Sequence, residues 1–223
     1  MQSLKLIITG ATGMVGEGVL FECLQNPHVS EILLISRKHY AIDHPKVQQL
    51  LVKDFSRLSD HAHKLDGFNA CFFCAGVSSI GMVEEAYRKI TYDTTLSFAR
   101  ALLAQNSNMV FTYVSGSHTD STEKGRLMWA RVKGRTENDL AKLPFNGVYN
   151  FRPGVMLPFE GQKNWKNTYK WLAKAIRLVA PKSVLTLHEL GLAMIAVAMN
   201  GYPSTVLEIK DIRSAAASLQ TAS

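Results

Sequence analysis

Short, continuous apolar runs alternate along the chain with stretches whose apolar positions recur at helical spacing. Leu4–Thr9 (LKLIIT) reads as a first strand. Residues 13–25 follow as a helix, with Val15, Val19, Leu20 and Cys23 on one side. Further strands are expected at 31–36, 49–53, 69–74 (NACFFC), 109–114 (MVFTYV), Gly147–Phe151 and 205–209. Helical spacing fills 82–105, 122–143 and Leu187–Asn200, the last stopped by Gly201. The small, polar tail after Asp211 reads as a frayed helix.

Strands that are apolar throughout, rather than alternately, are covered on both faces. Strands that alternate with helices connect in parallel through right-handed crossovers. The expected architecture is therefore an α/β, doubly wound parallel sheet with helices on both faces. No repeat, low-complexity tract or Pro/Gly linker divides it, so 1–223 reads as a single domain. Residues 154–200 are expected to contribute a small C-terminal substrate-side region. Within it, 154–181 has weak strand character and carries Trp165, Tyr169 and Trp171. The basic amphipathic stretch 172–179 reads as a core-packing or subunit helix rather than a membrane contact.

Composition narrows the class. The 223 residues are 47% hydrophobic, ample for one large core. The net charge of +7 is spread along the chain without a Lys/Arg block. That favours a phosphate-rich small ligand over nucleic acid. Three cysteines give no disulfide framework, and no apolar run is long enough to span a bilayer. The expectation is a cytoplasmic protein with neither membrane nor nucleic-acid partners.

The chemistry begins where the first strand meets its helix, at Thr9-Gly10-Ala11-Thr12-Gly13-Met14-Val15-Gly16. Gly10 permits a tight turn, Gly13 lets backbone approach a diphosphate, and Gly16 lets the helix pack closely. Bare amides at the helix start then hold the anion. This is a dinucleotide loop of Rossmann type, spaced G-x-x-G-x-x-G. No G-x-x-x-x-G-K-[S/T] motif occurs, which disfavours a P-loop hydrolase. At the end of the second strand, an NAD(H) site would place a carboxylate on the ribose. Here stand Ser36, Arg37 and Lys38, a set suited to the extra 2′-phosphate of NADP(H). Asp54 and Phe55, after the third strand, suit the edge and face of adenine.

With these residues in hand, the chain resembles the short-chain dehydrogenase/reductase superfamily. The nearest likeness is to its atypical NAD(P)H-binding, epimerase-like branch and to the Tat-interacting-protein oxidoreductase-like group. The carriers are the glycine loop, Cys74-Ala75-Gly76, Ser115-Gly116-Ser117, Lys133, and Arg152-Pro153-Gly154, in that order. The resemblance implies that Cys74, Ala75 and Gly76 line the nicotinamide-side ribose. It implies that Pro153, Gly154 and Val155 border the nicotinamide, that Lys133 bonds its ribose, and that Ser115 sits beside a substrate carbonyl. Ser115 and Lys133 are thus the candidate catalytic residues for a small carbonyl-type substrate. The resemblance also allows a homodimer through helices of the later crossovers.

One position departs from the pattern. The family places Tyr four residues before the lysine, on one helix face, as its proton donor. Trp129 stands there, and an indole N–H is no general acid. Three accounts stay open: a proton from Ser115, Ser117 or water; a reaction that needs no tyrosine; or NADPH binding without turnover. Cys71 and Cys74 have redox-motif spacing but lie in an apolar strand, where they point to opposite faces as core residues. His61 and His63 near Asp60 have no further clustered ligand, so no metal is expected.

Overall fold

A computed structural model describes residues 3–159, 161–164 and 183–220. Seven strands form one parallel sheet in the order β3-β2-β1-β4-β5-β6-β9. They are β1 (Leu4–Thr9), β2 (Val29–Ser36), β3 (Val47–Leu51), β4 (Ala70–Phe73), β5 (Val110–Val114), β6 (Gly147–Phe151) and β9 (Val206–Leu207). The order reverses between β1 and β4, which leaves a crevice outside their carboxyl ends. A separate two-stranded parallel sheet joins β7 (Val155–Leu157) to β8 (Val184–Thr186).

Strand alternation divides the core in two. Leu6, Ile8 and Phe72 enter one cluster, while Ile7, Cys71 and Phe73 enter the other. The first lies under α1 (Met14–Gln25), α5 (Leu187–Asn200) and α6 (Ile209–Gln220). The second lies under a 3-10 segment, Phe55–Lys64, and α3 (Thr94–Leu103). Cys71 and Cys74 pack into opposite clusters, as strand geometry requires.

Three elements differ from the sequence reading. The helix expected at 82–105 is broken into α2 (Glu84–Arg88), a π turn at Lys89–Asp93, and α3. The hydroxyl of Thr94 donates to the Lys89 carbonyl at 3.0 Å, partnering a group that the wide turn loosens. The helix expected from 122 starts at Met128, as α4 (Met128–Leu140). Asp120 holds the preceding residues in a turn by accepting from Thr122 N (3.0 Å) and Gly125 N (2.6 Å). The tail is not frayed: α6 buries Ile212, Ala215, Ala216 and Leu219, whose spacing forms a helical stripe of small and apolar groups. α5 packs into the core against α1 and α6, as its apolar spacing implies. A capping box between Thr186 and Glu189 starts it, and Gly201, at φ +70°, ends it. Trp165, Tyr169, Trp171 and the stretch 172–179 lie outside the described residues.

Candidate functional site

The glycine loop crosses the head of β4 at close range. A Cβ at Gly10 would sit 2.7 Å from the Cys74 carbonyl, and its φ of +78° is left-handed. A Cβ at Gly16 would sit 2.3 Å from the Gly10 carbonyl oxygen. Both positions therefore exclude any side chain. Gly13 begins α1 with no side-chain cap, so the helix's first amides lack a protein side-chain partner. Gly16 and Ala11 are buried beneath the loop and line neither lobe of the crevice, while Gly10, Thr12 and Gly13 do.

The crevice has two lobes that share Gly13, Cys74, Gly76 and Val77. The lobe of about 580 Å³ takes Ser36, Arg37 and Lys38 from the end of β2. Asp54, Phe55 and Ala75 complete much of its wall. The Ser36 hydroxyl donates to the Lys38 carbonyl at 2.5 Å and folds this turn. Asp54 starts the 3-10 segment, accepting from Ser56 N (2.9 Å) and Ser56 Oγ (2.7 Å). Those bonds hold its carboxyl below the usual range. Lys53, Ile90 and Thr94 also line this lobe and were missed in the sequence. Lys53 lay inside an expected strand. Ile90 and Thr94 are turned inward by the π turn, which has no sequence signature here.

The lobe of about 940 Å³ is walled by Met14, Val15, Ser115, Lys133, Pro153, Gly154 and Val155. Trp129 lines it too, so Trp129, Lys133 and Glu137 follow one another at intervals of four along α4. The Lys133 ammonium donates to the Ser115 carbonyl. Burial pulls its pKa down to about 8, against the opposing pull of Glu137. Ser115 is only 6% exposed, and its hydroxyl is committed to Glu137, with the Phe151 carbonyl 3.1 Å away. It is therefore not a free donor beside a substrate.

Glu137 is the hub that the sequence did not reveal. It is 2% exposed, and the Arg152 guanidinium clasps both its oxygens, with Nε at 3.1 and 3.2 Å. Arg152 also donates to Glu208 (3.2 Å) and to Ser121 Oγ (2.5 Å). Burial works against the arginine's charge, and the two carboxylates more than offset it. Neither partner of such a pair can be removed without stranding the other. His118, with a left-handed φ of 66°, and Glu208 were also missed; both line the lobe. Burial pushes the Cys74 thiol up to about 12, leaving it a poor nucleophile. His61 and His63 lie on the 3-10 segment, away from both lobes. No cluster of three metal-ligating side chains occurs among the described residues.

No family model matches the chain. It is 28% identical over 160 residues to "Protein HTATIP2" of Rattus norvegicus, covering 70% of this chain and 64% of that one. It is 32% identical over 143 residues to "Leucinostatins biosynthesis cluster protein T" of Purpureocillium lilacinum, covering 63% and 52%. "Protein FMP52, mitochondrial" of Saccharomyces cerevisiae is 27% identical over 68% of this chain and 65% of its own length. The chain thus spans less than two thirds of these curated relatives. Among solved structures, a Helicobacter pylori ADP-L-glycero-D-manno-heptose-6-epimerase superposes with a TM-score of 0.68 at 16% identity, over 96% of this chain and 80% of that one. A Burkholderia cenocepacia short chain dehydrogenase, solved in complex with NADP, gives 0.66 at 16% over 99% and 95%. These likenesses establish the fold. No helix among the described residues is long and apolar enough to cross a membrane.

Proposed function

We propose that the chain is an atypical short-chain dehydrogenase/reductase protein, an NADP(H)-dependent oxidoreductase acting on a small carbonyl substrate. The observation that carries this reading is the two-lobed crevice. One lobe gathers Arg37, Lys38 and Lys53; the other gathers Lys133 and an apolar wall. The uncapped start of α1 lies where the lobes meet, and a Cβ at Gly13 would meet only the Gly10 carbonyl oxygen, at 3.4 Å. A dinucleotide diphosphate fits that bare amide cradle.

When bound, a reduced nicotinamide supplies hydride. The chain's own residues do the rest of the work. Arg37, Lys38 and Lys53 receive the 2′-phosphate, and no carboxylate stands at the end of β2 to repel it. Pro153, Gly154 and Val155 wall the site of the ring, and Lys133 faces the ribose and the reacting carbonyl. The substrate occupies the larger lobe, against Met14, Val15, Val155 and Met156. We place the protein in the cytoplasm and read it as a homodimer that binds neither membrane nor nucleic acid.

Calorimetric titration with NADPH, NADH and NADP+ tests the cofactor. The expected result is an NADPH affinity at least about tenfold above that for NADH, equivalent to one or more charge-assisted bonds. Equal affinities would remove the preference, and silence toward both would remove the reading. A second reading, NADPH binding without turnover, is favoured by Trp129 in the tyrosine's place. Trp129→Tyr separates the two: activity that appears only in the variant supports a non-catalytic parent.

A further inference from the structure

We propose that Lys133 itself hands the proton to the substrate oxygen, with Glu137 as the residue that positions it. This rests on the oxidoreductase reading and supplies its missing acid.

Three observations lead there. No tyrosine lines either lobe among the described residues, and Trp129 fills the position from which one would act. The Ser115 hydroxyl spends its proton on Glu137 and so does not polarise a carbonyl. Lys133 reaches the same lobe, and among the described residues only one of its three N–H groups is used, on the Ser115 carbonyl. A neutral-range proton is also what its burial provides.

The surrounding charges make the arrangement coherent. On its own helix Lys133 faces Glu137, one turn away. From β6 comes Arg152, which takes up the Glu137 charge; from beyond β9 comes Glu208; from the β5 loop comes His118. Glu137 holds Ser115 and Arg152 together, and Ser115 in turn holds the lysine. Glu137 therefore acts through its neighbours and touches no substrate.

The step balances simply. Hydride given up by NADPH, which is left as NADP+, would form the new C–H bond at the carbonyl carbon and push the π pair onto oxygen. An Nζ–H proton passes to that oxygen, giving the alcohol. The neutral amine left behind takes a proton from water before the next turnover.

The test uses the intact protein, saturating NADPH, and two electron-poor probes, 4-nitrobenzaldehyde and 9,10-phenanthrenequinone. Wild-type kcat should fall about tenfold per pH unit above roughly pH 8, as the ammonium is lost. Lys133→Arg, which keeps the charge but holds its proton, should lose about 100-fold or more in kcat while still binding NADPH by calorimetry. Added methylamine should restore turnover to Lys133→Ala in proportion to its concentration. Glu137→Gln should keep a cooperative melt and move the alkaline limb to lower pH, a change that a purely structural residue would not make. Three outcomes overturn the proposal: Lys133→Arg turning over like wild type; methylamine without effect; or His118→Ala abolishing the limb that Lys133→Arg leaves in place. Wild-type protein that binds NADPH yet reduces neither probe also overturns it, and leaves the binding reading standing. Protein that binds no NADPH fails the reading beneath it instead.

Discussion

The two ends of the crevice are built from different materials. The glycine-loop end is mostly backbone: Gly10, Gly13 and Gly16 strip away side chains so that amides and a helix terminus are left bare. The other end is mostly side chain, a chain of contacts from Lys133 through the Ser115 carbonyl and hydroxyl and Glu137 to Arg152, ending at half-exposed Glu208. Backbone sites are robust to charge but intolerant of volume. Side-chain networks tolerate volume but fail when one partner is lost.

That contrast can be broken, and the largest break falls at the side-chain end. Glu137→Ala strands the Arg152 guanidinium in the core, so stability should drop by about 3–5 kcal/mol, read by denaturant melts. An unchanged midpoint would show that water reaches the pair. At the backbone end, Gly10→Ala combines a left-handed φ with overlap on Cys74. It should cost about 3 kcal/mol and abolish calorimetric NADPH binding. Retained binding would mean that the loop can shift away from β4. Next comes the cationic wall. Removing Arg37 and Lys38 together should weaken NADPH by about 2 kcal/mol, near thirtyfold, and leave NADH almost untouched. A parallel loss for both nucleotides would assign these residues to general attraction.

The smallest effect concerns pH. Burial lowers the Lys133 pKa from 10.5 to about 8 in the folded chain, so between those values the unfolded chain holds more protons. Stability therefore rises with pH across that window, relative to Lys133→Met, by on the order of 1 kcal/mol after solvent screening. Parallel curves for the two proteins would show that the lysine is hydrated in the fold.

The same contrast explains what could be read from the chain. The sheet was legible because parallel strands are apolar runs, and each run met its expected place within a few residues. The glycine loop was legible because its parts are adjacent. Glu137 was not. Its spacing from Lys133 resembles any solvated helix face, and its burial depends on Arg152, which arrives from another strand. The family resemblance sets Ser115 beside a substrate carbonyl, and no local sequence signal announces the Glu137 carboxylate that takes its proton. The helix at the tail looked polar because alanine, the residue that lets α6 approach α5, scores as small rather than apolar. Lys53, Ile90 and Thr94 depend on where one strand stops and on a π turn, both beneath the resolution of periodicity.

The wall of the larger lobe includes Glu208 and Ile209, just past β9, the edge strand beside β6. The glycine loop leaves the ribosome almost two hundred residues earlier. Glu208 and Ile209 emerge only after the rest of the crevice, and the parallel pairing that brings them in is slow to form. A nascent chain thus exposes the glycine loop long before the far wall of the larger lobe exists.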